Sequence, residues 1–359
     1  MSKKRLMRGS HAIGEAATVA GCRFYAGYPI TPQNELPEYM SGRFAELEGA
    51  VFIQAESELA AINMVMGASM AGVRAMTSSS SPGISLKQEG ISYMAGMELP
   101  AVVVNIMRGG PGLGNIAPSQ QDYFQATRGG GHGGYRTIVL APNSGQESVS
   151  LTIKAFDLAD IYRMPVLVLG DGLMGQMMEP VSFPEPIDPA KLPPRDWKLD
   201  GAKGRSSRLI ASLRLDPVEM EQHNWKLERK YAAICELETE HESHLLDDAV
   251  LAVVAFGTAA RIAKGAVNRV RKAGLKAGLF RPITLWPFPE KQLRLLTRRV
   301  KHLLVFEMNS GQMVEDVRAS VGEQAAVHFH GRPGGIISTP REIADAITRL
   351  IYKHELEKL

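Results

Sequence analysis

The chain has 359 residues, of which 45% are hydrophobic and 22% are charged, and its formal net charge at pH 7 is +3. This length favours two domains, and the balanced composition is typical of a globular protein rather than a disordered or fibrous one. The small net charge, without a block of basic residues, argues against binding to nucleic acid or to an anionic membrane surface.

The cysteines and the start of the chain limit the class of protein further. Cys22 and Cys235 lie far apart, and they cannot form an iron–sulfur or zinc site without ligands from elsewhere. We therefore expect no metal centre in this chain. The basic start is followed by Gly9, Ser10 and His11 instead of an apolar signal core, and no apolar run reaches the roughly 20 residues of a membrane span. A cytoplasmic protein without membrane association is expected.

The first half of the chain alternates short apolar strands with helices. A first helix is predicted at residues 11–20, capped by Ser10 and ended by Gly21, and Thr31-Pro32 predicts another helix start. Further strands and helices follow, at residues 22–26, 51–54, 73–77, 101–107, 138–141 and 166–169 for the strands and 56–71 and 146–162 for the helices. This alternation predicts an α/β fold, a doubly wound parallel sheet with helices on both faces.

The composition changes after residue 180. Residues 181–248 are first proline-rich and then charged with a helical pattern, which indicates a connector. A second alternation of strands and helices fills residues 249–359, and Thr339 and Glu342 form a capping box before the last helix. We therefore predict a first domain at residues 1–180, the connector, and a second, smaller α/β domain.

Four segments that follow predicted strands are rich in polar or small residues: 27–32, 54–58, 78–83 and 108–112. Ligands of parallel α/β sheets bind beyond the carboxyl ends of the strands, so we expect these segments to converge on one edge. Together with the string Val-Phe-Glu-Met-Asn-Ser-Gly-Gln at residues 305–312, they resemble the 2-oxoacid:acceptor oxidoreductase family. The resemblance covers residues 9 to about 180 and resumes in the second domain. It implies a thiamine-diphosphate-binding domain of the pyrimidine type and a domain like the C-terminal domain of transketolase.

The resemblance implies a role for Glu58 in activating the cofactor. By position it matches the family glutamate that hydrogen-bonds N1′ of the aminopyrimidine, where a carboxyl promotes removal of the thiazolium C2 proton. Glu56 is the competing carboxyl. From the residues alone, Glu58 could equally favour the helix N-terminus through the dipole.

The resemblance also implies the remaining site residues. Thr31 and Arg108 match family positions that face the substrate carboxylate. Further family matches, implied to contact the cofactor, are Pro29, Ile30, Ser79 and Ser80. Simpler interpretations stay open for each, because Thr-Pro is an ordinary helix start, serines cap helices, and an arginine at a strand end can be solvated.

Two glycine-rich motifs are interpreted as turns. Residues 112–117 fit the loose dinucleotide pattern G-x-G-x-x-A but do not directly follow a strand, and no acidic residue ends a strand about 20 positions later. Gly170-Asp171-Gly172 opens like the magnesium–diphosphate motif of thiamine enzymes, but residues 180–201 lack the closing asparagines. If the protein binds thiamine diphosphate, another chain must therefore hold the diphosphate and Mg²⁺.

The loop after Arg108 predicts the substrate. It offers Leu113, Ile116 and Ala117 but no second cation for a dicarboxylate, and residues 108–125 resemble the branched-chain members of the family. We therefore expect 2-oxoisovalerate (3-methyl-2-oxobutanoate) as substrate. Arg128 keeps 2-oxoglutarate open as an alternative if its helix turns inward, and pyruvate is the other alternative.

The resemblance implies an α subunit of a 2-oxoacid:ferredoxin oxidoreductase, which converts a 2-oxoacid, coenzyme A and oxidised ferredoxin into acyl-CoA, CO₂ and reduced ferredoxin. A β subunit would hold the Mg²⁺–diphosphate site and an iron–sulfur cluster, with small γ and ferredoxin-like δ subunits. Two rival hypotheses remain: a thiamine enzyme that passes its acyl group to lipoamide, and a non-catalytic scaffold subunit.

Overall fold

The structure, a computed structural model, describes residues 4–356. The strands are β1 (Arg5–Arg8), β2 (Phe24–Gly27), β3 (Val51–Gln54), β4 (Ala75–Ser79), β5 (Ala101–Met107), β6 (Ile138–Leu140), β7 (Pro165–Asp171), β8 (Met178–Val181), β9 (His241–His244), β10 (Leu251–Val254), β11 (Ala277–Pro282), β12 (Thr284–Trp286), β13 (His302–Glu307) and β14 (Ala326–Gly331). The helices are α1 (Gly9–Val19), α2 (Glu35–Ala45), α3 (Glu58–Met70), α4 (Ser81–Gly96), α5 (Tyr123–Arg128), α6 (Gly145–Tyr162), α7 (Gly172–Gln176), α8 (Pro217–Leu237), α9 (Gly257–Lys272), α10 (Glu290–Leu296), α11 (Met313–Val321) and α12 (Pro340–Lys353).

The larger sheet has seven strands in the order β12-β6-β7-β5-β4-β2-β3, parallel except for β12. Its central strands β5 and β7 are buried at every residue. Val103 of β5 belongs to a core with apolar residues of α3 and α4, whereas Val102 belongs to a core with α1, α2 and α6. Helices therefore cover both faces, and the predicted doubly wound α/β fold is confirmed.

The smaller sheet has the order β14-β13-β10-β11-β9, parallel except for β9. Helices α9 and α12 pack on one face through residues such as Val267 and Ile347. On the other face, Ala252 and Val254 of β10 share one continuous core with residues of β5 and α3. This core, which also includes Leu293 of α10 and Val317 of α11, is therefore continuous between the two sheets.

Two strands belong to sheets that their positions in the sequence do not predict. Thr284–Trp286 follows β11 in the chain, yet it pairs with β6 of the larger sheet. His241–His244 lies within the region predicted as a connector, yet it pairs antiparallel with β11 of the smaller sheet. Strand β9 was not predicted from the sequence, because its four polar residues show no apolar alternation. The pairing of β12 with β6 therefore joins the second half of the chain to the larger sheet.

Two predicted helix starts were wrong. Helix α1 begins at Gly9 with Arg8 at the N-cap, and Ser10 lies buried inside it. The reason is that β1 runs directly into α1, where the Gly9 N–H donates to the carbonyl oxygen of Met177 at 3.1 Å. Helix α2 begins at Glu35 instead of Pro32, because a turn closes first, with the Gln33 N–H donating to the carbonyl oxygen of Ile30 at 3.1 Å.

Only half of the predicted capping box forms at the last helix. The Thr339 hydroxyl accepts a hydrogen bond from the Glu342 N–H at 3.2 Å. The Glu342 carboxylate instead accepts from Arg332 Nε at 2.9 Å. Among residues 4–356, no helix has both the length and the apolar character needed to cross a lipid bilayer.

Candidate functional site

Strands β5, β4, β2 and β3 are consecutive neighbours and run parallel in the larger sheet. The four polar segments predicted from the sequence follow the carboxyl ends of these strands. They therefore lie along one edge of the sheet, as expected, in the position where α/β sheets bind ligands.

Glu58 is the first residue of α3 and is 5% exposed, whereas Glu56 is exposed to solvent. The preceding Ser57 caps the helix, with its hydroxyl accepting from the Ala60 N–H at 3.1 Å. Among the residues that the structure describes, the Glu58 carboxylate has no hydrogen-bond partner. The buried carboxyl at this edge is therefore Glu58, with its acceptor oxygens available to a ligand.

Gly83 makes room for the Glu58 carboxyl. A Cβ atom at Gly83 would lie 2.5 Å from Glu58 Oε1 and 2.0 Å from Ser79 Oγ. Both polar groups therefore contact the same bare face of this glycine. Any larger residue at position 83 would displace them.

The serines after β4 divide into two kinds. Ser78 Oγ accepts from the Tyr25 hydroxyl at 2.6 Å and donates to Gln33 Oε1 at 2.5 Å, and Gln33 Nε2 donates to the carbonyl oxygen of Tyr28 at 3.2 Å. This chain of hydrogen bonds fixes the segment that follows β2. Ser79 and Ser80, in contrast, have buried hydroxyls without a partner among the described residues.

The unpartnered serine hydroxyls test whether this edge fits a polar cofactor. A buried hydroxyl without a hydrogen bond costs free energy, so a native structure supplies a partner from protein, water or ligand. Ser80 holds the N-cap position of α4 but makes no side-chain cap, which argues against the helix-cap interpretation of this serine. Two free hydroxyls beside an unpaired carboxyl fit a cofactor that carries both donors and acceptors.

Arg108 is buried at the end of β5 and is not a solvated arginine, since it is 6% exposed. Its Nη1 donates to the carbonyl oxygen of Thr31 and its Nη2 to that of Leu113, both at 3.0 Å. Its Nε has no partner among the described residues. Arg108 thus joins two of the polar segments and retains donors for an anion.

The position of Arg108 is fixed by residues that the sequence analysis missed. Its N–H donates to Ser81 Oγ at 3.0 Å, and Ser81 Oγ donates to Asp122 Oδ2 at 2.6 Å. Asn105 Nδ2 donates to the same carboxylate oxygen at 2.9 Å. Burial raises the pKa of Asp122, and these two donors oppose the shift.

The loop after Arg108 folds back on itself. Gly114 has φ +58, and a Cβ atom there would lie 1.7 Å from the carbonyl oxygen of Gly109, so only glycine fits. The apolar side chains of Leu113 and Ile116 are 79% and 62% exposed. Residues 112–117 are therefore an exposed loop, in agreement with the rejection of the dinucleotide motif.

The other residues singled out in the segment after β2 are less enclosed. Pro29 and Thr31 are exposed, and Ile30 is half-buried. The Thr31 carbonyl oxygen accepts from Arg108, but within residues 4–356 the Thr31 hydroxyl has no hydrogen-bond partner. Residues 28–31 are therefore exposed or half-buried, while Pro32 is buried.

Lys87 is a buried cation next to Glu58 that the sequence analysis also missed. It is 0% exposed on α4, and its Nζ donates to the carbonyl oxygen of Glu58 at 3.3 Å. Burial lowers the pKa of Lys87 to about 8, and the Glu58 charge opposes this shift. The signal was present in the spacing, since Ile84, Lys87 and Ile91 lie on one face of the helix.

The motif at residues 305–312 connects the two sheets. Glu307 accepts from the Met313 N–H at 2.8 Å and the Val314 N–H at 3.0 Å, which caps α11. Asn309 Nδ2 donates to the carbonyl oxygen of Gln120 at 2.8 Å, and Gln120 Nε2 donates to that of Phe256 at 2.9 Å. This motif therefore holds the loop that follows Arg108 against the smaller sheet.

Two other sequence features receive structural explanations. Asp171 of the G-D-G motif accepts from the Leu173 and Met174 N–H groups at 3.0 and 3.1 Å, so it caps α7.

Arg128 Nη2 lies 3.1 Å from Asp316 Oδ1, and its guanidinium stacks 4.5 Å from the centre of the Phe124 ring. Arg128 is therefore already paired, which weakens the case for a second substrate carboxylate there.

Comparison with known families and proteins gives a consistent result. The family model described as pyruvate flavodoxin/ferredoxin oxidoreductase, thiamine diphosphate-binding, matches residues 15–242. A second family model, pyruvate:ferredoxin oxidoreductase core domain II, matches residues 249–343. Ketoisovalerate oxidoreductase subunit VorB of Methanothermobacter marburgensis is 48% identical over 96% of this chain and 97% of that protein. The 2-oxoglutarate synthase subunit KorA of Methanothermobacter thermautotrophicus is 36% identical over 98% and 100%.

Solved structures extend the likeness to the fold. The 2-oxoglutarate:ferredoxin oxidoreductase of Magnetococcus marinus, with 2-oxoglutarate, coenzyme A and succinyl-CoA bound, superposes with a TM-score of 0.87 at 27% identity. The match covers 98% of this chain and 66% of that chain. A split-gene transketolase has a TM-score of 0.56 at 14% identity, which shows a shared fold alone. The predicted resemblance is confirmed: the chain belongs to the pyruvate flavodoxin/ferredoxin oxidoreductase family and contains its thiamine-diphosphate-binding domain.

Proposed function

We propose that this chain is the α subunit of an oxidoreductase that converts 2-oxoisovalerate, coenzyme A and oxidised ferredoxin into the branched acyl-CoA, CO₂ and reduced ferredoxin. The observation that carries the proposal is the buried, unpartnered carboxyl of Glu58 beside the Ser79 hydroxyl, on the edge that also carries Arg108. The family of the chain and its 48% identity to a ketoisovalerate oxidoreductase subunit support it.

The cofactor supplies the stabilisation of negative charge that decarboxylation of a 2-oxoacid requires. In our proposal, Glu58 holds a proton at N1′ of the aminopyrimidine, because it is the buried carboxyl at this edge without a partner. Ser79 and Ser80 give their free hydroxyls to the same ring system. Pro29 and Ile30 provide the less polar side of this half of the pocket.

Arg108 binds the substrate carboxylate in this proposal. Two of its donors hold backbone carbonyls of Thr31 and Leu113, so the guanidinium has a fixed orientation, and its Nε is left without a partner. A guanidinium held in this way pairs with a carboxylate at a small entropic cost. Thr31 adds its exposed hydroxyl beside the same carboxylate.

We infer a substrate with a branched apolar side chain from the residues around Arg108. Leu113 and Ile116 provide apolar surface on the loop that Arg108 holds. Arg128 Nη2 already pairs with Asp316 Oδ1, so a second substrate carboxylate would compete with Asp316 for it. Identity supports the same choice, at 48% to a ketoisovalerate oxidoreductase subunit against 36% to a 2-oxoglutarate synthase subunit.

A β subunit completes the site in our proposal. This chain uses its G-D-G aspartate to cap α7, and its two cysteines are separated, with Cys22 buried and Cys235 exposed. The Mg²⁺–diphosphate half of the cofactor site and an iron–sulfur cluster are therefore assigned to the β subunit. Small γ and ferredoxin-like δ subunits would complete the complex and pass electrons to ferredoxin.

The experiment is to tag this chain in its native host and purify the complex without oxygen. Viologen reduction is then measured with coenzyme A and each of 2-oxoisovalerate, 2-oxoglutarate and pyruvate. We expect co-purified thiamine and iron and the highest kcat/KM with 2-oxoisovalerate. Preference for 2-oxoglutarate would contradict the substrate assignment, and a chain without thiamine or partners would favour a scaffold subunit.

A further inference from the structure

Three histidines meet at one end of the smaller sheet. His302 is the first residue of β13, His328 lies within β14, and His354 follows the last turn of α12. The parallel register pairs His302 with Ala326 and Leu304 with His328, which places His302 and His328 on the same face. Helix α12 brings His354 to this face.

The ring nitrogens of the three histidines lie close together. His302 Nδ1 is 3.2 Å from His328 Nε2, and one nitrogen from each ring lies within 4.8 Å of the others. The His354 ring centre is 4.9 Å from that of His302 and 5.1 Å from that of His328. In a tetrahedral zinc site with Zn–N bonds of 2.0–2.1 Å, ligand nitrogens lie roughly 3.4 Å apart. A small shift of the His354 ring would therefore bring three nitrogens to the spacing of three zinc ligands.

An unpartnered ring nitrogen is a second observation in favour of a ligand, in addition to the spacing of the rings. His354 Nε2 is buried and has no hydrogen-bond partner among residues 4–356. A buried imidazole nitrogen without a partner carries the desolvation cost described above for the serines. A metal ion bound between the rings would remove that cost, because imidazole nitrogen is a common metal ligand.

We propose that His302, His328 and His354 form a binding site for a divalent transition-metal ion of the Zn²⁺ class, with solvent as the fourth ligand. Three imidazoles suit Zn²⁺ and its neighbours in the first transition row, whereas Mg²⁺ and Ca²⁺ prefer oxygen ligands. The described part of the chain places no carboxylate or thiolate in this cluster. The ion would tie the edge strand β14 and the end of α12 to β13.

The site is separate from the thiamine edge. His302 begins β13, while the carboxyl end of β13 at Glu307 leads to the motif that contacts the larger sheet. We therefore assign the ion a structural role in the smaller sheet and no part in the reaction. No metal centre was expected from the two separated cysteines, and these three histidines were not singled out because a spacing of 26 residues matches no short ligand motif.

The test uses the full-length chain after treatment with a chelator. Zinc is titrated calorimetrically at neutral pH into the wild type and into His328→Gln, His354→Gln and the control His244→Gln, whose imidazole bonds Asn268 elsewhere. We expect one ion per chain, with affinity at least about 100-fold lower in the first two variants, since even second-shell changes cost 10–100-fold. The control should bind as the wild type does.

A second readout does not depend on the variants. Co²⁺ added to the wild-type chain should give the visible absorption of a tetrahedral nitrogen site, and Zn²⁺ should abolish it. Circular dichroism checks that each variant folds. Equal zinc affinity in all four proteins, or the absence of a saturable site and of the cobalt spectrum in the wild type, would overturn the proposal.

Discussion

The ammonium group of Lys87 donates a hydrogen bond to the backbone carbonyl oxygen of Glu58 at 3.3 Å, and the lysine is closed to solvent. The contact joins α4 to the first turn of α3, where Glu58 turns its carboxyl toward Gly83 and Ser79. A buried ammonium group therefore lies next to the residue that carries the buried carboxyl of the proposed cofactor site, and ionisable groups of either kind are expensive to bury.

The first prediction is that Lys87→Met changes the pH dependence of stability. Burial lowers the pKa of Lys87 from 10.5 to about 8, so between these values the unfolded state binds more protons than the folded state. The wild type must therefore gain stability as pH rises through this window, by on the order of 3 kcal/mol. Below pH 8 the full cost of the buried charge is present.

Urea unfolding of the wild type and Lys87→Met at a series of pH values measures this difference. The wild type should become more stable relative to the variant as pH rises from about 8 to 10.5. Lys203→Met, a change at an exposed lysine, is the matched control. A difference between wild type and Lys87→Met that stays constant with pH would show that Lys87 titrates normally.

The second prediction concerns the contact between the sheets. Gln120 is fully buried, its Nε2 donates to the carbonyl oxygen of Phe256 at 2.9 Å, and its Oε1 accepts from the Met308 N–H at 3.0 Å. Gln120→Ala leaves the Met308 N–H unpaired, at about 1–3 kcal/mol, whereas the Phe256 carbonyl oxygen keeps the Ala260 N–H at 3.0 Å. The variant's urea midpoint should fall clearly, while the exposed-site control Gln222→Ala should stay near wild type. Equal midpoints would mean that water replaces the side chain.

The third prediction separates two arginines of the same region. Arg108→Lys should raise the KM for 2-oxoisovalerate about 10–100-fold, because an ammonium cannot reproduce paired guanidinium hydrogen bonds to a carboxylate. Arg128→Gln should leave that KM unchanged, since Arg128 is engaged by Asp316. Steady-state kinetics of the purified complexes decide the point. The assignment of Arg108 fails if both variants give the same KM as wild type.

The sequence predicted the parts of the fold that depend on apolar periodicity. Residues 51–54 and 101–107 were predicted as strands and form β3 and β5, because continuous apolar runs are typical of strands in a parallel sheet. It could not predict β12 in the larger sheet, since the pairing of Thr284 with Leu140 depends on how the halves pack. Ser10 failed as a cap because a strand pairing outweighed local capping preference.

Some residues of the candidate site could be predicted from the sequence and others could not. The polar segments that contain Glu58, Ser79 and Arg108 were identified by their positions after strands, and the family resemblance singled out these three residues. The structure brings the segments to one edge. Lys87 was missed because a lysine in a helix normally faces solvent. Asp122 was missed because its link to Ser81 and Asn105 joins residues 41 and 17 positions apart, which no local pattern reveals.

The proposed role of Glu58 in activating the thiamine cofactor is measured most directly by hydrogen–deuterium exchange at the thiazolium C2 atom in the assembled complex. Glu58→Gln should slow this exchange by roughly 10²–10⁴-fold while thiamine content and subunit composition stay unchanged. Glu56→Gln, which alters the exposed neighbour, should exchange as the wild type does. A Glu58→Gln complex that retains its cofactor and exchanges at the wild-type rate would contradict the account.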